Sequence, residues 1–441
     1  MSPHVRLLPF ALLVLPAVPL ASQSDAELRA AVDRVAPRMI ELRHDIHQHP
    51  ELGNRETRTA GLIADELRRL GLEVRTGVAT TGVIGILRGG KPGPVIALRA
   101  DMDGLPITER NDLPFKSTLT TTYLGRETGV MHACGHDTHV AAQLGVANVL
   151  AGMRQQLKGT VVFIFQPAEE GLPPGEVGGG KQMVAEGALD NPRPEMIFAF
   201  HANGDPPDAE GDRERLGRVS YSVGPTMAAA TKFIARIHGR PAHGSTPHLS
   251  VDAVVTASEV VLALQTIRSR NLSPFSDNVL TVGVLQAGDR NNIVAGEAYL
   301  EGTIRTFELA TLETIERRMR EIFDGITRSA GATFELEFDR SHPLTANDTA
   351  VTRRFVPSLQ RAAGAGNVVE VPPRNGAEDF SYFSQQIPGL YVFIGGVPDG
   401  MASTGHHTPG FYVDDQTVPN AIRVMATLAV DALNGGPPRP R

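Results

Sequence analysis

The only cysteine in the chain, Cys134, lies in the stretch 131–140, MHACGHDTHV, close to His132, His136 and His139. Cys134 and His136 are separated only by Gly135. In an extended segment both side chains would point the same way, and glycine adopts backbone angles closed to other residues. Asp137 or Thr138 is expected to cap a following helix, with Val140, Leu144, Ala147 and Ala151 on one face. A thiolate and an imidazole at a helix-entry loop suit a borderline-soft divalent cation. A lone cysteine is more often a small buried hydrophobe, so the weight of this reading rests on what accompanies it.

Three apolar runs end in further donors. Residues 95–98 lead into Arg99-Ala-Asp101-Met-Asp103, residues 161–165 into Gln166-Pro-Ala-Glu169-Glu170-Gly171, and residues 196–200 into His201. Such runs suit strands buried on both faces, and open α/β sheets place their sites at strand C-terminal ends. The candidate ligands are Cys134, His136, Glu169 or Glu170, His201, and one histidine of the pair His406-His407. They exceed one tetrahedral set and fit two divalent ions about 3.5–4 Å apart. Zinc or manganese is the first expectation, with cobalt or nickel allowed by the mixed donors. Amide hydrolysis at such a site needs a carboxylate to take a proton from water and pass it to the leaving amine. The doublet Glu169-Glu170 suggests that one glutamate binds metal while its neighbour carries the proton. Asp101 is expected to orient a ligand imidazole.

These donors need a scaffold. Residues 25–48 read as a helix interrupted near Pro37, and residues 56–70 as a second. Strands are expected at 82–87, 94–99, 160–166, 195–200 and 390–394. The texture changes after residue 220: strand 226–236, helix 250–267, a hairpin pair 278–286 and 295–306, helix 309–329 and strand 333–338. A β-α-β-β-α-β order is a compact ferredoxin-like unit. The charged segments 208–218 and 340–347 would be its hinges, and helix 349–362, strand 368–371, helix 378–386 and helix 415–433 resume the first architecture. The fold class is therefore α/β: a catalytic sheet domain with helices on both faces (22–219 and 341–441) and an inserted ferredoxin-like α+β lid domain (220–340).

A chain of 441 residues is long enough for two cores. A net charge of −7 without a basic stripe excludes the usual nucleic-acid footprint. Residues 1–21, with Arg6, an apolar run at 7–20 and Ala21, read as a signal peptide and are short for a membrane span. A periplasmic or secreted protein, with no membrane span in its mature form, is the expectation. One cysteine cannot form an internal disulfide there, so metal ligation is the economical reason to keep a thiol in an oxidising compartment.

The segments RADMDGLPI, MHACGHDTHVAAQLGVA, FQPAEEG, the His201 strand end, NGAEDFSYF and HHTPGF resemble the M20 metallopeptidases, and most of all their amidohydrolase branch. That branch holds N-acyl-amino-acid hydrolases, auxin-conjugate hydrolases and hippurate-hydrolase-like carboxypeptidases. The resemblance implies a di-metal catalytic domain and a lid that commonly makes a homodimer. It implies Cys134, His136, Glu170, His201 and His407 as ligands and Glu169 as the base. It further implies that His243, in Pro-Ala-His-Gly, stabilises the oxyanion, often across a dimer. Asn292 and Arg305 are similar to the groups that hold the substrate carboxylate, which a guanidinium can fork with two hydrogen bonds. The expected activity is hydrolysis of the amide bond in N-acyl-amino acids or short peptides. Two alternatives stand beside it: a non-catalytic exported binder of acylated amino acids, and a hydrolase with Cys134 as nucleophile.

Overall fold

The computed structural model of the chain describes residues 20–205, 215–401 and 404–436. The proposed leader 1–21 lies outside these residues except for its last two positions, and most of the expected hinge 208–218 also lies outside them.

Eight strands form the main sheet: β1 (Glu73–Val78), β2 (Gly82–Arg88), β3 (Lys91–Asp101), β4 (Lys158–Gln166), β5 (Met196–Asn203), β6 (Val219–Tyr221), β11 (Val368–Glu370) and β12 (Gly389–Gly395). Their order across the sheet is β1-β2-β4-β3-β5-β12-β6-β11. The central strands β4, β3, β5 and β12 are mutually parallel, while β1, β2 and β6 join antiparallel neighbours. Successive side chains of a strand face opposite ways. Accordingly Phe163, Leu98, Phe198 and Val392 pack into one core, and Ile164, Ala97, Ile197 and Tyr391 into the other.

The first core is covered by helices α1 (Leu20–Gln48), α2 (Thr57–Arg69), α3 (His136–Gly152), α6 (Thr349–Ala363) and α7 (Thr417–Leu433). The second lies under the short helices Gly179–Ala185 and Phe380–Ser384, through Met183, Phe380 and Phe383. Helix α3 is the pivot. It is buried on every side from His136 to Ala147, because the sheet, α7 beside it on the sheet, and α1 all pack around it. The single apolar face read from its sequence is therefore too narrow a description. Helix α1 also runs unbroken through Pro37, against the expected interruption. A proline there forfeits one backbone hydrogen bond, and the buried stripe Val32, Met39 and Ile46 holds the helix on either side.

The inserted unit has strands β7 (Ala229–His238), β8 (Asn278–Ala287), β9 (Glu297–Thr306) and β10 (Thr333–His342), with helices α4 (Ala253–Thr266) and α5 (Leu309–Ala330). Its antiparallel order, β8-β9-β7-β10, is that of the ferredoxin-like fold expected from the pattern. Phe233, Ala235 and Ile237 of β7 meet Val260 and Leu264 of α4 and Ile315 and Phe323 of α5 in a separate core. One sheet face is thus left uncovered by helices, as antiparallel sheets permit. The expected return hinge 340–347 is largely strand: β10 continues to His342, and Thr345–Asn347 pairs with Gly224–Met227. Two further ribbons carry little periodic signal, Thr120–Tyr123 with Arg126–Gly129 and Ala242–His243 with Ile293–Val294. No helix among the described residues is long and apolar enough to cross a membrane.

Candidate metal centre

The adjacent parallel strands β4, β3 and β5 end at one sheet edge, and each delivers a donor there. Asp101 closes β3, Glu169 and Glu170 follow β4 after a turn in which Ala168 has φ +53°, and His201 sits near the end of β5. Cys134 and His136 flank Gly135, whose φ of +96° turns the chain into α3. A side chain at that position would strain the backbone, while its Cβ would only touch Ala202 and Phe411, at 3.4 and 3.5 Å. Glycine, rather than a side-chain cap, therefore starts the helix. Asp137, expected as that cap, is buried and accepts hydrogen bonds from Arg43 Nε and His47 Nδ1, both at 3.0 Å.

The imidazoles are fixed in ways that free particular nitrogens. His136 Nδ1 donates to the carbonyl of Asp103 at 2.9 Å, and His201 Nδ1 to the carbonyl of Ala202 at 2.8 Å. Each ring then turns Nε2 inward, the pattern by which proteins orient metal-binding histidines. His201 Nε2 is 3.4 Å from Cys134 Sγ, and His136 Nε2 is 3.8 Å from Glu170 Oε1. His407 Nε2 is 3.2 Å from Glu170 Oε2. The five ligand candidates Cys134, His136, Glu170, His201 and His407 are thereby linked in one cluster, with Glu169 grouped beside His136 and Glu170.

The donor set fits divalent cations. His136 Nε2 and Glu170 Oε1 are buried without a hydrogen-bond partner, a costly condition unless another group meets them. Burial alone would lower the pKa of His136, yet Asp101, Asp103 and Glu170 hold it up at about 10, so positive charge is favoured at this point. Burial and the same acid surroundings push the Cys134 thiol well above its ordinary value, and a cation beside it would release the thiolate. Burial keeps its neighbours His201 and His406 neutral, the latter at about 4. Burial, with Glu378 and Glu170 nearby, likewise raises the Glu169 carboxyl well above the carboxylate range.

Asp101 orients an imidazole, but its closest one is that of His139. His139 Nδ1 lies 2.5 Å from Asp101 Oδ1, and His139 Nε2 accepts the backbone N–H of Ala202 at 2.8 Å. Asp101 is 3.7 Å from His136 Nε2. Its other oxygen accepts Arg99 Nη1 at 2.7 Å. Arg99 also reaches Gln166 Oε1 and the carboxylate of Glu378, both at 2.8 Å, and Gln166 donates to Asp379 at 2.7 Å. Sequence reasoning assigned no role to Asp103, Arg99, His139, Glu378 or Asp379. All five lie in segments that carried the family resemblance, and the unexplained buried charges in RADMD and AED were the available signal.

A cavity of about 630 Å³ opens over the cluster. Cys134, Glu169, Glu170, His201, His406 and His407 line it, together with Arg305, His342 and Arg374. Arg305, on β9, is half-buried and has no carboxylate partner among the described residues; burial alone lowers its pKa. His243 and Asn292 are not brought there. His243 is exposed on the Ala242–His243 ribbon with Nδ1 2.7 Å from Ser245 Oγ, and the Asn292 carbonyl accepts the N–H of Gly244 at 2.8 Å.

Comparison with known proteins agrees with this geometry. Residues 97–431 match the profile of Peptidase family M20/M25/M40. Thermostable carboxypeptidase 2 of Saccharolobus solfataricus is 35% identical over 411 residues, 92% of this chain and 98% of that one. The IAA-amino acid hydrolase ILR1-like 2 of Arabidopsis thaliana is 36% identical over 402 residues, 90% of this chain and 85% of that one. The crystal structure of the Bacillus subtilis YXEP protein, a dinuclear metal binding peptidase from the M20 family, superposes with a TM-score of 0.75 at 32% identity, covering 91% of this chain and 99% of that one.

Proposed function

The chain belongs to peptidase family M20/M25/M40, a metal-dependent hydrolase family, and we propose that it hydrolyses the amide bond of N-acyl-amino acids or short peptides that end in a free carboxylate. The observation that carries this reading is the unpartnered pair His136 Nε2 and Glu170 Oε1, facing Cys134, His201 and His407 beside a spare glutamate. Two divalent ions, zinc or manganese by donor type, would polarise the scissile carbonyl and acidify an attacking water.

The chain's own groups complete the reaction. Glu169 takes the proton of the attacking water and returns it to the nitrogen as the C–N bond breaks, leaving a carboxylic acid and a free amine. Arg305 holds the substrate's terminal carboxylate and so sets cleavage at the end of the molecule. The Arg99–Asp101–His139 chain fixes the end of β5 and with it His201. His243 and Asn292, exposed on the lid, complete the site of a partner subunit in a homodimer made through this domain. The leader 1–21 directs export to the periplasm or medium.

The test is hydrolysis of N-acetyl, N-benzoyl and dipeptide substrates by purified protein of measured metal content. Chelation should abolish release of free amino acid, and added Zn²⁺ or Mn²⁺ should restore it. Undiminished turnover after complete chelation, or ligand binding without product, would remove the proposal.

A further inference from the structure

Helix α1 reaches the metal centre from behind, through a buried arginine. Arg43 is 2% exposed, and all three of its nitrogens are engaged. Nε donates to Asp137 Oδ2 at 3.0 Å, Nη1 to Asp415 Oδ1 at 2.8 Å, and Nη2 to the carbonyl of Val413 at 2.7 Å. Asp137 directly follows His136 at the start of α3. Val413 and Asp415 stand at the far end of the loop that begins with His406 and His407. One side chain therefore joins the two segments that carry opposite halves of the ligand set.

Two histidines of α1 reinforce the contact. His44 Nε2 lies 2.9 and 3.0 Å from the oxygens of Asp415, and His47 Nδ1 lies 3.0 Å from the Asp137 oxygen that Arg43 holds. The His47 ring also meets Glu109 at 3.3 Å, and the residues after Glu109 extend the grip. Arg110 N–H and Asn111 Nδ2 donate to the carbonyls of Pro409 and Phe411 at 2.8 and 2.7 Å. At its other end the loop rests on the cysteine turn, where His407 N–H donates to the Ala133 carbonyl at 2.8 Å.

Stability is a weak reason for this arrangement. Taking a guanidinium and a carboxylate out of water costs about as much as their attraction returns, and well-packed apolar side chains often serve as well. What a planar fork with fixed donor directions supplies is placement. We propose that Arg43 is a positioning residue of the metal centre: it fixes the separation between the Cys134–His136 turn and the His407 loop, and so sets the affinity for the second ion. Arg43 does not line the metal-centre cavity, so it acts through the backbone it holds. The inference rests on the two-ion reading above, with His407 as a ligand.

The experiment titrates metal-free protein with Co²⁺, whose visible absorption reports the geometry around each ion, and measures both Zn²⁺ affinities against a chelating indicator. Arg43→Lys keeps the charge and loses the fork. Asp415→Asn keeps the shape and weakens one anchor, at a side chain that is 35% exposed. Each should weaken the second ion about ten- to a hundredfold, leave the first nearly unchanged, and alter the Co²⁺ spectrum of the doubly loaded form. Arg361→Met is the stability control, since its partners Asp25 and Asp431 lie outside the metal-centre cavity. It should lower the urea midpoint and leave both affinities as they were. Arg43→Lys decides if it folds; if it does not, Asp415→Asn decides. An unchanged second-ion affinity in the deciding variant, or equal weakening of both ions, overturns the role given to Arg43, as does a loss of the same size in Arg361→Met. Failure of the wild-type protein to bind two ions overturns instead the reading on which the inference rests.

Discussion

His406 and His407 are neighbours in the chain but face different partners: His407 Nε2 lies 3.2 Å from Glu170 Oε2, whereas His406 Nδ1 lies 3.6 Å from Cys134 Sγ. His406 Nε2 accepts the N–H of Gly204 at 3.1 Å, so in the neutral ring Nδ1 carries the proton and points it at the sulfur. His406 is thus placed to donate to a thiolate, whereas His407, at φ +58°, turns its Nε2 to the Glu170 carboxylate, where a cation between the two would take its lone pair instead. His407→Ala should lower bound metal from two ions per chain toward one, and His406→Ala should keep both. Elemental analysis of the purified variants decides, and the reverse pattern would exchange the two assignments.

Glu169→Gln preserves shape but cannot accept the proton of water. Turnover should fall by about 10²–10⁴ while metal content stays at the wild-type level. Single-turnover kinetics beside metal analysis separates lost proton transfer from lost ions, and full activity would strip Glu169 of its proposed role.

Arg305→Ala removes a guanidinium proposed to pair with the substrate carboxylate. A hydrogen bond to a charged group contributes about 1.5–3 kcal/mol, so KM should rise roughly ten- to a hundredfold. The same substrate with its carboxylate converted to a carboxamide should show little further loss in the variant. An equal loss on both substrates would mean that Arg305 supports the lid fold instead.

A pH effect on stability follows from the buried group beneath α3. Burial alone would lower the pKa of His47, but the Asp137 and Glu109 carboxylates, at 3.0 and 3.3 Å, outweigh it and raise the value to about 9. Its folded value exceeds the unfolded one, so the contribution is complete below about pH 6.5 and fades as pH rises through 9. The loss is on the order of 3 kcal/mol at most. Urea unfolding at pH 6 and pH 9 should show a decline that His47→Gln flattens; identical slopes for both proteins would place the effect elsewhere.

The sheet core and the ligand candidates were legible because each depended on local pattern. Phe163 and Ile164, or Phe198 and Ala199, are adjacent apolar residues that pack into opposite cores, and such continuous runs announce a strand covered on both faces. Cys134, the pair Glu169-Glu170 and His201 stood out as donors where such runs end or helices begin. The supporting charges were hidden for the opposite reason. Asp101 meets His139, and Gln166 meets Asp379, only after distant segments fold together, and no spacing rule connects them. Pro37 misled because propensity counts the missing hydrogen bond but not the packing on both sides of it. The ribbon Thr120–Tyr123 with Arg126–Gly129 was missed because its threonines and charges leave no apolar alternation to read.

The pairing of β12 with β5 also has a consequence for how the protein comes into being. These two strands lie side by side, Leu390 against Phe198 and Phe393 against His201, although the whole inserted domain is encoded between them. A chain made from its N-terminus therefore has the whole lid sequence in hand before the main sheet can close, and the loop with His407 arrives later still. With His407 as a ligand, as proposed, the metal site would be completed only among the last events of maturation, and a chain truncated before that loop should bind less metal however well its first half had folded.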